Sequence, residues 1–332
     1  MLTWRCSTAV VAAITAIVGA SSMQPSLAQE AEKYPARTVT IVVPMGAGAG
    51  LDLTTRFIAK RLETRMGQPF IIENKAGMAG GVGSASVARS APDGYTLLTS
   101  FLSANVFNPI IHKKMPYSLS DLSFVTLLYD TPFVLVVPTA SGIESNQQLV
   151  AKLKADQAGH SYASGGIGSA AHIAASMYLR LVGTPGVLHV PYRTTVAVFP
   201  DLISNRVAFG IFSPDSVISY IKAGQLRALF VAADKRLASL PDVPTSAEIG
   251  LPEMRASSWY VMQAPAQTPR PIRERLAREV SQILQEPESA AWFVKAESTP
   301  LIGYTPDSTA AFVEKERARW EPHVRASGAS VE

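Results

Sequence analysis

Residues 73–98 read ENKAGMAGGVGSASVARSAPDGYTLL, and the spacing of five glycines in this stretch (Gly77, Gly80, Gly81, Gly83 and Gly94) decides the reading of the fold. Glycines around Ala79 let the backbone take positive φ and approach a neighbouring segment or a ligand closely. Ala85, Val87, Ala88 and Ala91 follow as the small-residue face of a helix. Pro92-Asp93-Gly94 is a turn, since proline presets φ, aspartate bonds its own backbone and glycine takes the left-handed position. Tyr95 to Leu98 then reads as a short buried strand.

Working outward, strand-like apolar runs alternate with amphipathic segments. Val39 to Val43 is a buried strand, and Leu53 to Met66 is a helix with Phe57, Ile58, Leu62 and Met66 on one face. Strands are expected at Pro69–Glu73, Tyr95–Thr99, Phe133–Val137, Ser161–Ser164 and Val187–Pro191, with helices at Ser145–Lys154 and Ser169–Leu181. The alternation continues through residues 195–204, 207–212, 217–223 and 226–232. It predicts an α/β architecture with largely parallel sheets. Two apolar runs flank Asp130-Thr131-Pro132, and LPDVPT opens a second irregular stretch before Trp259-Tyr260-Val261-Met262. These are the expected points where the chain changes domain.

The amino terminus predicts export. Arg5 precedes an uncharged run from Ala9 to Ala20, and Ser26-Leu27-Ala28 is a small-x-small cleavage site before Gln29. Twelve residues are too few to span a bilayer, which needs about 20. Cleavage after Ala28 removes Arg5 and Cys6, the one cysteine, leaving 29 basic against 26 acidic residues in 304, a formal charge of +3. Disulfides and thiolate chemistry are thereby excluded from the mature chain. The basic residues are scattered, so no nucleic-acid surface is expected. His112, His160, His172, His189 and His323 lack metal-ligand spacing, so neither a metal nor a cofactor is expected.

Three clusters carry candidate chemistry. Pro44-Met45-Gly46-Ala47-Gly48-Ala49-Gly50-Leu51-Asp52 lies between a strand and a helix, where amides and the positive helix end favour an anion. It fails as a dinucleotide fingerprint because Leu51 stands three after Gly48, and it lacks the Gly-Lys-Ser/Thr ending of a phosphate loop. Asp52 suits an N-cap or first-turn role as well as ligand contact. Ser164-Gly165-Gly166-Ile167-Gly168-Ser169-Ala170-Ala171-His172 again joins a strand to a helix, with two hydroxyls, several amides and a histidine that suits capping or packing as well as a ligand. No G-x-S-x-G elbow surrounds either serine. The third cluster is His189-Val190-Pro191-Tyr192-Arg193-Thr194-Thr195, in which Arg193 is either a rim cation or a solvated loop residue.

The quoted stretch closely resembles the hallmark of the tripartite tricarboxylate transporter receptor (Bug) family, EN-basic-PGAGG-x-IG…VA-x-A-x-PDGYTLL. Ala76 stands where that family usually has proline, and Ala79 where it has glycine. The first cluster resembles PF-x-PGG-x-xD, with Met45, Ala47 and Ala49 departing from it. The second resembles YAS-x-G-x-G-x-x-x-H-L and the third HVPYKG…DL-x-x-G, with Arg193 for lysine, Thr194 for glycine and Asn205 for the second glycine. The likeness runs from Tyr34 to about Trp320. It implies a type II periplasmic-binding-protein fold, with residues 29–130 plus 256–332 as one domain, 131–255 as the other, and two carboxy-terminal surface helices completing the first. It implies a periplasmic receptor that binds a small carboxylate in the interdomain cleft for inner-membrane transporter subunits, as a monomer and without catalysis. The implied ligand-binding set is Met45, Gly46, Ala47, Gly48, Ala49, Asp52, Ser103, Thr131, Ser164, Gly166, Gly168, Ser169, His172, Arg193, Thr194 and Asp215. The alternatives are a periplasmic hydrolase of carboxylic esters and a ligand sensor for a signalling system.

Overall fold

The computed structural model describes residues 33–331; the expected leader, its cleavage point and Cys6 lie outside them. The chain opens with β1 (Val39–Val43), α1 (Gly50–Met66), β2 (Phe70–Asn74), α2 (Gly81–Ala88) and β3 (Thr96–Phe101). A π-type turn at Ser103–Phe107 leads into the single-turn helix α3 (Asn108–Ile111), and the long strand β4 (Leu122–Pro132) follows. Then come β5 (Val134–Pro138), α4 (Asn146–Ala155), β6 (Ser161–Ser164), α5 (Ala170–Leu181) and β7 (Leu188–Pro191). Next are α6 (Phe199–Ile203), β8 (Phe209–Phe212), α7 (Pro214–Lys222) and β9 (Leu226–Val231). The last elements are β10 (Ser257–Pro265), α8 (Arg270–Leu284), α9 (Pro287–Lys295), β11 (Thr299–Pro300) and α10 (Pro306–Ala326).

Local chemistry sets these limits. β1 is the β-branched run VTIVV, buried on both faces as a central strand requires. Leu51, Ile58, Leu62 and Met66 turn one face of α1 inward, and Gly67 ends it in the left-handed conformation at φ 74°. Ser145 and Ser169 cap α4 and α5 by accepting the N–H groups of Gln148 and His172. In the quoted stretch Asp93 accepts the Tyr95 N–H at 3.0 Å, and Gly94 has φ 84°. A side chain on Gly83 would meet Pro44 at 2.7 Å, so α2 approaches β1 as only glycine allows. Ala79 takes φ 46°, a left-handed value that costs an alanine about 1 kcal/mol or more.

The strands form two sheets, ordered β11-β4-β10-β3-β1-β2 and β7-β6-β8-β5-β9. Both are mixed rather than largely parallel. β1 runs parallel to β2 and β3, but β10 lies antiparallel between β3 and β4. β6 runs parallel to β7 and β8, while β5 opposes β8 and β9. The antiparallel strands β5 and β10 are those by which the chain crosses between sheets, and a strand arriving from the other sheet is free of the parallel crossover rule. The two crossings touch: the Phe133 N–H donates to the Ala256 carbonyl at 2.9 Å, and the Ala232 N–H donates to the Phe133 carbonyl at 2.8 Å.

The carboxy-terminal helix departs from the expected surface role. α10 is 21 residues long and buries Val313, Trp320 and Val324. It packs on β4 and the π-type turn, and also on α5 beside the second sheet. Trp320 meets Phe107 edge to face at 5.3 Å. One apolar core therefore runs from Phe107 and Trp320 into Tyr178 of α5 and Phe209 of the second sheet. Each large side chain so buried contributes about 1.5–3 kcal/mol.

Candidate functional site

Because β1, β3 and β4 point the same way, their carboxy-terminal ends share one edge of the first sheet, as those of β6, β7 and β8 do in the second. The turns leaving these ends meet across the gap. A side chain on Gly50, at the start of α1, would stand 3.3 Å from Asp215 Oδ2 at the start of α7. One on Gly168 would run into Ile111 of α3, at 2.1 Å. Ligands of open α/β sheets bind beyond such strand ends.

The turn from β1 to α1 leaves its middle uncovered. Gly46, Ala47 and Gly48 are exposed, while Met45 and Ala49 are half-buried. Ala49 occupies the N-cap of α1 and offers no side-chain acceptor, so the first amides of a 17-residue helix have no cap. Asp52 holds the turn from behind. Its carboxylate is 1% exposed and accepts the Gly48 N–H at 2.8 Å, Arg56 Nε at 3.0 Å and Asn74 Nδ2 at 2.9 Å. Burial opposes its charge, but the bonds from Arg56, Gly48 and Asn74 outweigh burial and lower its pKa. With its oxygens occupied, Asp52 shapes the turn rather than reaching a ligand.

The turn from β6 to α5 is covered from within. Ser164 is fully buried; its hydroxyl lies 2.7 Å from His189 Nε2, 3.0 Å from the Gly166 carbonyl and 3.2 Å from the Gly166 N–H. The Gly168 N–H donates to His172 Nδ1 at 3.1 Å, which leaves the proton of the neutral ring on Nε2. Ser169 caps α5. His172 and His189 stack at 3.9 Å, and Tyr162 stacks on His189 at 4.8 Å. Burial pushes both imidazoles down to about 4, and for His172 the neighbouring His189 adds to it. In this conformation Ser164, Ser169 and His172, read as ligand contacts from the sequence, serve the turn itself. The histidines line a separate cavity of about 290 Å³ with Arg180 and the residues after α10.

The Ser164–His189 spacing is that of a nucleophile and its base. The surroundings differ from those of a hydrolase. The serine is buried, the faces of the imidazole stack on Tyr162 and His172, and among the described residues no carboxylate hydrogen-bonds to His189.

The remaining expected contacts divide. Arg193 and Thr194 are exposed, and Thr194 Oγ1 accepts the Ala197 N–H at 3.3 Å. Gly166 is half-buried at φ 126°, and Gly168 is buried at φ 74°. Ser103 is buried in the π-type turn. Thr131 and Asp215 come together in a cavity of about 420 Å³ that also takes in Gly48 and Gly50. Its other walls, Tyr129, Tyr260, Trp292 and Lys295, were not anticipated. From the sequence Tyr260 reads only as part of a strand, and α9, which carries Trp292 and Lys295, is not among the expected elements.

Comparison with known proteins gives one answer throughout. The profile described as tripartite tricarboxylate transporter family receptor matches residues 54–329. Protein BugT of Bordetella pertussis is 35% identical over 303 residues, covering 91% of this chain and 92% of that protein. Among solved structures, the R. palustris protein Rpa4515 with adipate superposes with a TM-score of 0.81 at 28% identity, covering 90% of this chain and 99% of that one. MatC of Rhodopseudomonas palustris with bound malate gives 0.75 at 27%, covering 88% and 100%. The periplasmic binding protein BugD gives 0.77 at 26%, covering 90% and 100%. The fold is that of the two-domain periplasmic binding proteins, and the chain belongs to the tripartite tricarboxylate transporter receptor family.

Proposed function

We propose that this receptor holds a small carboxylate between its two lobes and presents the closed form to an inner-membrane transporter. The observation that carries the reading is the uncapped start of α1 behind the exposed turn Gly46–Gly48. An anion there adds about 0.3–2 kcal/mol through the helix end. Each charge-assisted hydrogen bond contributes about 1.5–3 kcal/mol. About four such contacts, set against the cost of association, reach micromolar affinity without a chemical step. Adipate in Rpa4515 and malate in MatC support the same ligand class.

In this reading residues 29–130 plus 256–332 form one lobe and 131–255 the other, with α10 lying across both. The lobes close about the paired crossings at Phe133 and Ala256. Export with cleavage after Ala28 places the mature chain in the periplasm as a monomer. Gly46, Ala47 and the uncapped first turn of α1 supply amides, while the Gly48 N–H stays with Asp52, and Arg193 is a rim cation that affects on-rate more than off-rate.

A thermal-shift screen of mono- and dicarboxylates with the mature chain tests the proposal. A ligand at 100 times its Kd should add about 2.7 kcal/mol to stability. The same ligand should reduce the radius of gyration in small-angle scattering. Stabilisation by neutral analogues, with carboxylates inert, would overturn the reading.

A further inference from the structure

Building on the carboxylate reading, we propose that the cavity between the lobes selects ligands that carry an ammonium group together with the carboxylate. Asp215 is the one acidic residue among the cavity's walls and Lys295 the one basic residue. Asp215 stands in the first turn of α7, from the second lobe, and reaches the start of α1 in the first. Both side chains are exposed and line the cavity, and among the described residues neither is held by a hydrogen bond or ion pair of the kinds that occupy Asp52. The site thus offers a negative charge on one lobe and a positive charge, with helix amides, on the other.

The walls between these charges are aromatic and fixed. Tyr129 stacks on Tyr260 at 4.2 Å, and Trp292 stacks on Phe57 at 4.5 Å. Burial, and after it the charge of Asp215, raises the Tyr260 phenol, so the carboxylate is felt along that wall. Aromatic faces attract an ammonium and do nothing for a carboxylate. A dicarboxylate closing the lobes would bring its second charge against Asp215, where water is excluded and like charges repel strongly. Selection against the wrong ligand is therefore built into α7, while the start of α1 supplies the general attraction.

The test is calorimetry on the mature chain with matched series of pentanoate, glutarate, 5-aminopentanoate and pentylamine, repeated at shorter and longer chain lengths. The amino acid should bind at least about tenfold tighter than the dicarboxylate or the monocarboxylate of equal length. Asp215→Asn should reduce the amino acid to the level of the monocarboxylate, and Asp215→Lys should turn the preference to the dicarboxylate. Asp215 is exposed, so both variants should fold, which circular dichroism checks. Dicarboxylate preference in the wild type, unchanged in Asp215→Asn, overturns the ammonium inference and leaves the carboxylate reading standing. Binding of pentylamine with every carboxylate silent overturns the carboxylate reading and leaves Asp215 as a cation site. Silence of the whole series at millimolar concentration overturns the inference.

Discussion

The turn between β1 and α1 and the turn between β6 and α5 have the same parts, a strand end, several glycines and a helix start, yet they treat their amides in opposite ways. In the first, alanine occupies the N-cap and the middle is exposed; one buried carboxylate, Asp52, braces it from behind. In the second, Ser169 caps the helix, His172 takes the Gly168 N–H, and Ser164 bridges Gly166 to His189. A donor already paired has little left for a ligand, because exchanging one hydrogen bond for another gains almost nothing. On the proposed reading the first turn, with its uncapped helix start, is where an anion would bind, while the second spends its donors on itself. Side chains two to four positions from a glycine thus decide whether its amide is already paired.

The largest effect that would sharpen this contrast is expected from Asp52→Ala. The change removes the buried acceptor shared by the Gly48 N–H, Arg56 and Asn74 Nδ2; the first two can turn to water and Asn74 keeps the Met45 carbonyl, so the cost should be about 2 kcal/mol in urea melts. It should also weaken the best carboxylate by at least about tenfold, since the turn loses its brace. Lost stability with unchanged affinity would show that the turn's shape does not set binding. Ser164→Ala comes next. It frees the half-buried Gly166 N–H and His189 and should cost about 1–2 kcal/mol with little change in affinity. A loss of affinity without a loss of stability would break the contrast and restore Ser164 as a ligand donor.

Much of the fold was legible. The strand at Val39–Val43 is found with the expected limits, Ser145 and Ser169 cap the helices they were expected to start, and Pro92-Asp93-Gly94 turns as its chemistry requires. These features are local, set by neighbours within a turn or by an uninterrupted apolar run. What escaped is non-local. The antiparallel course of β10 depends on the chain returning from another sheet. The span of α10 across both lobes depends on Phe107 and α5 offering Trp320 and its neighbours a core. The cavity walls Tyr129, Tyr260 and Trp292 come from three separate elements, and periodicity in any one of them marks only burial. The pairing of Ser164 with His189 spans 25 positions, which no motif between them encodes.

The smallest expected effect is an acid-dependent one, centred on the second turn, with His112 and His323, also lowered by burial, acting in the same sense. Free imidazoles titrate near 6.5, and burial lowers His172 and His189 to about 4 in the folded chain. Above 6.5 both rings are neutral whether the chain is folded or not, so their contribution to stability is complete. Between 6.5 and 4 the unfolded chain binds protons that the folded chain refuses, and stability falls as pH falls. Asp130 opposes this: burial raises it from 3.8 to about 6, so between those values the folded chain binds the extra proton. Two histidines outweigh one aspartate, and the net change on acidification should be a loss. Urea melts at pH 7.5, 5.5 and 4.5 should show it, and His172→Gln or His189→Asn should each flatten the slope. Carboxylate affinity per folded molecule, corrected for protonation of the free ligand, should hold steady over the same range, because the first turn carries no histidine. A parallel fall in affinity would mean that the two turns are coupled and that the second is part of the binding surface after all.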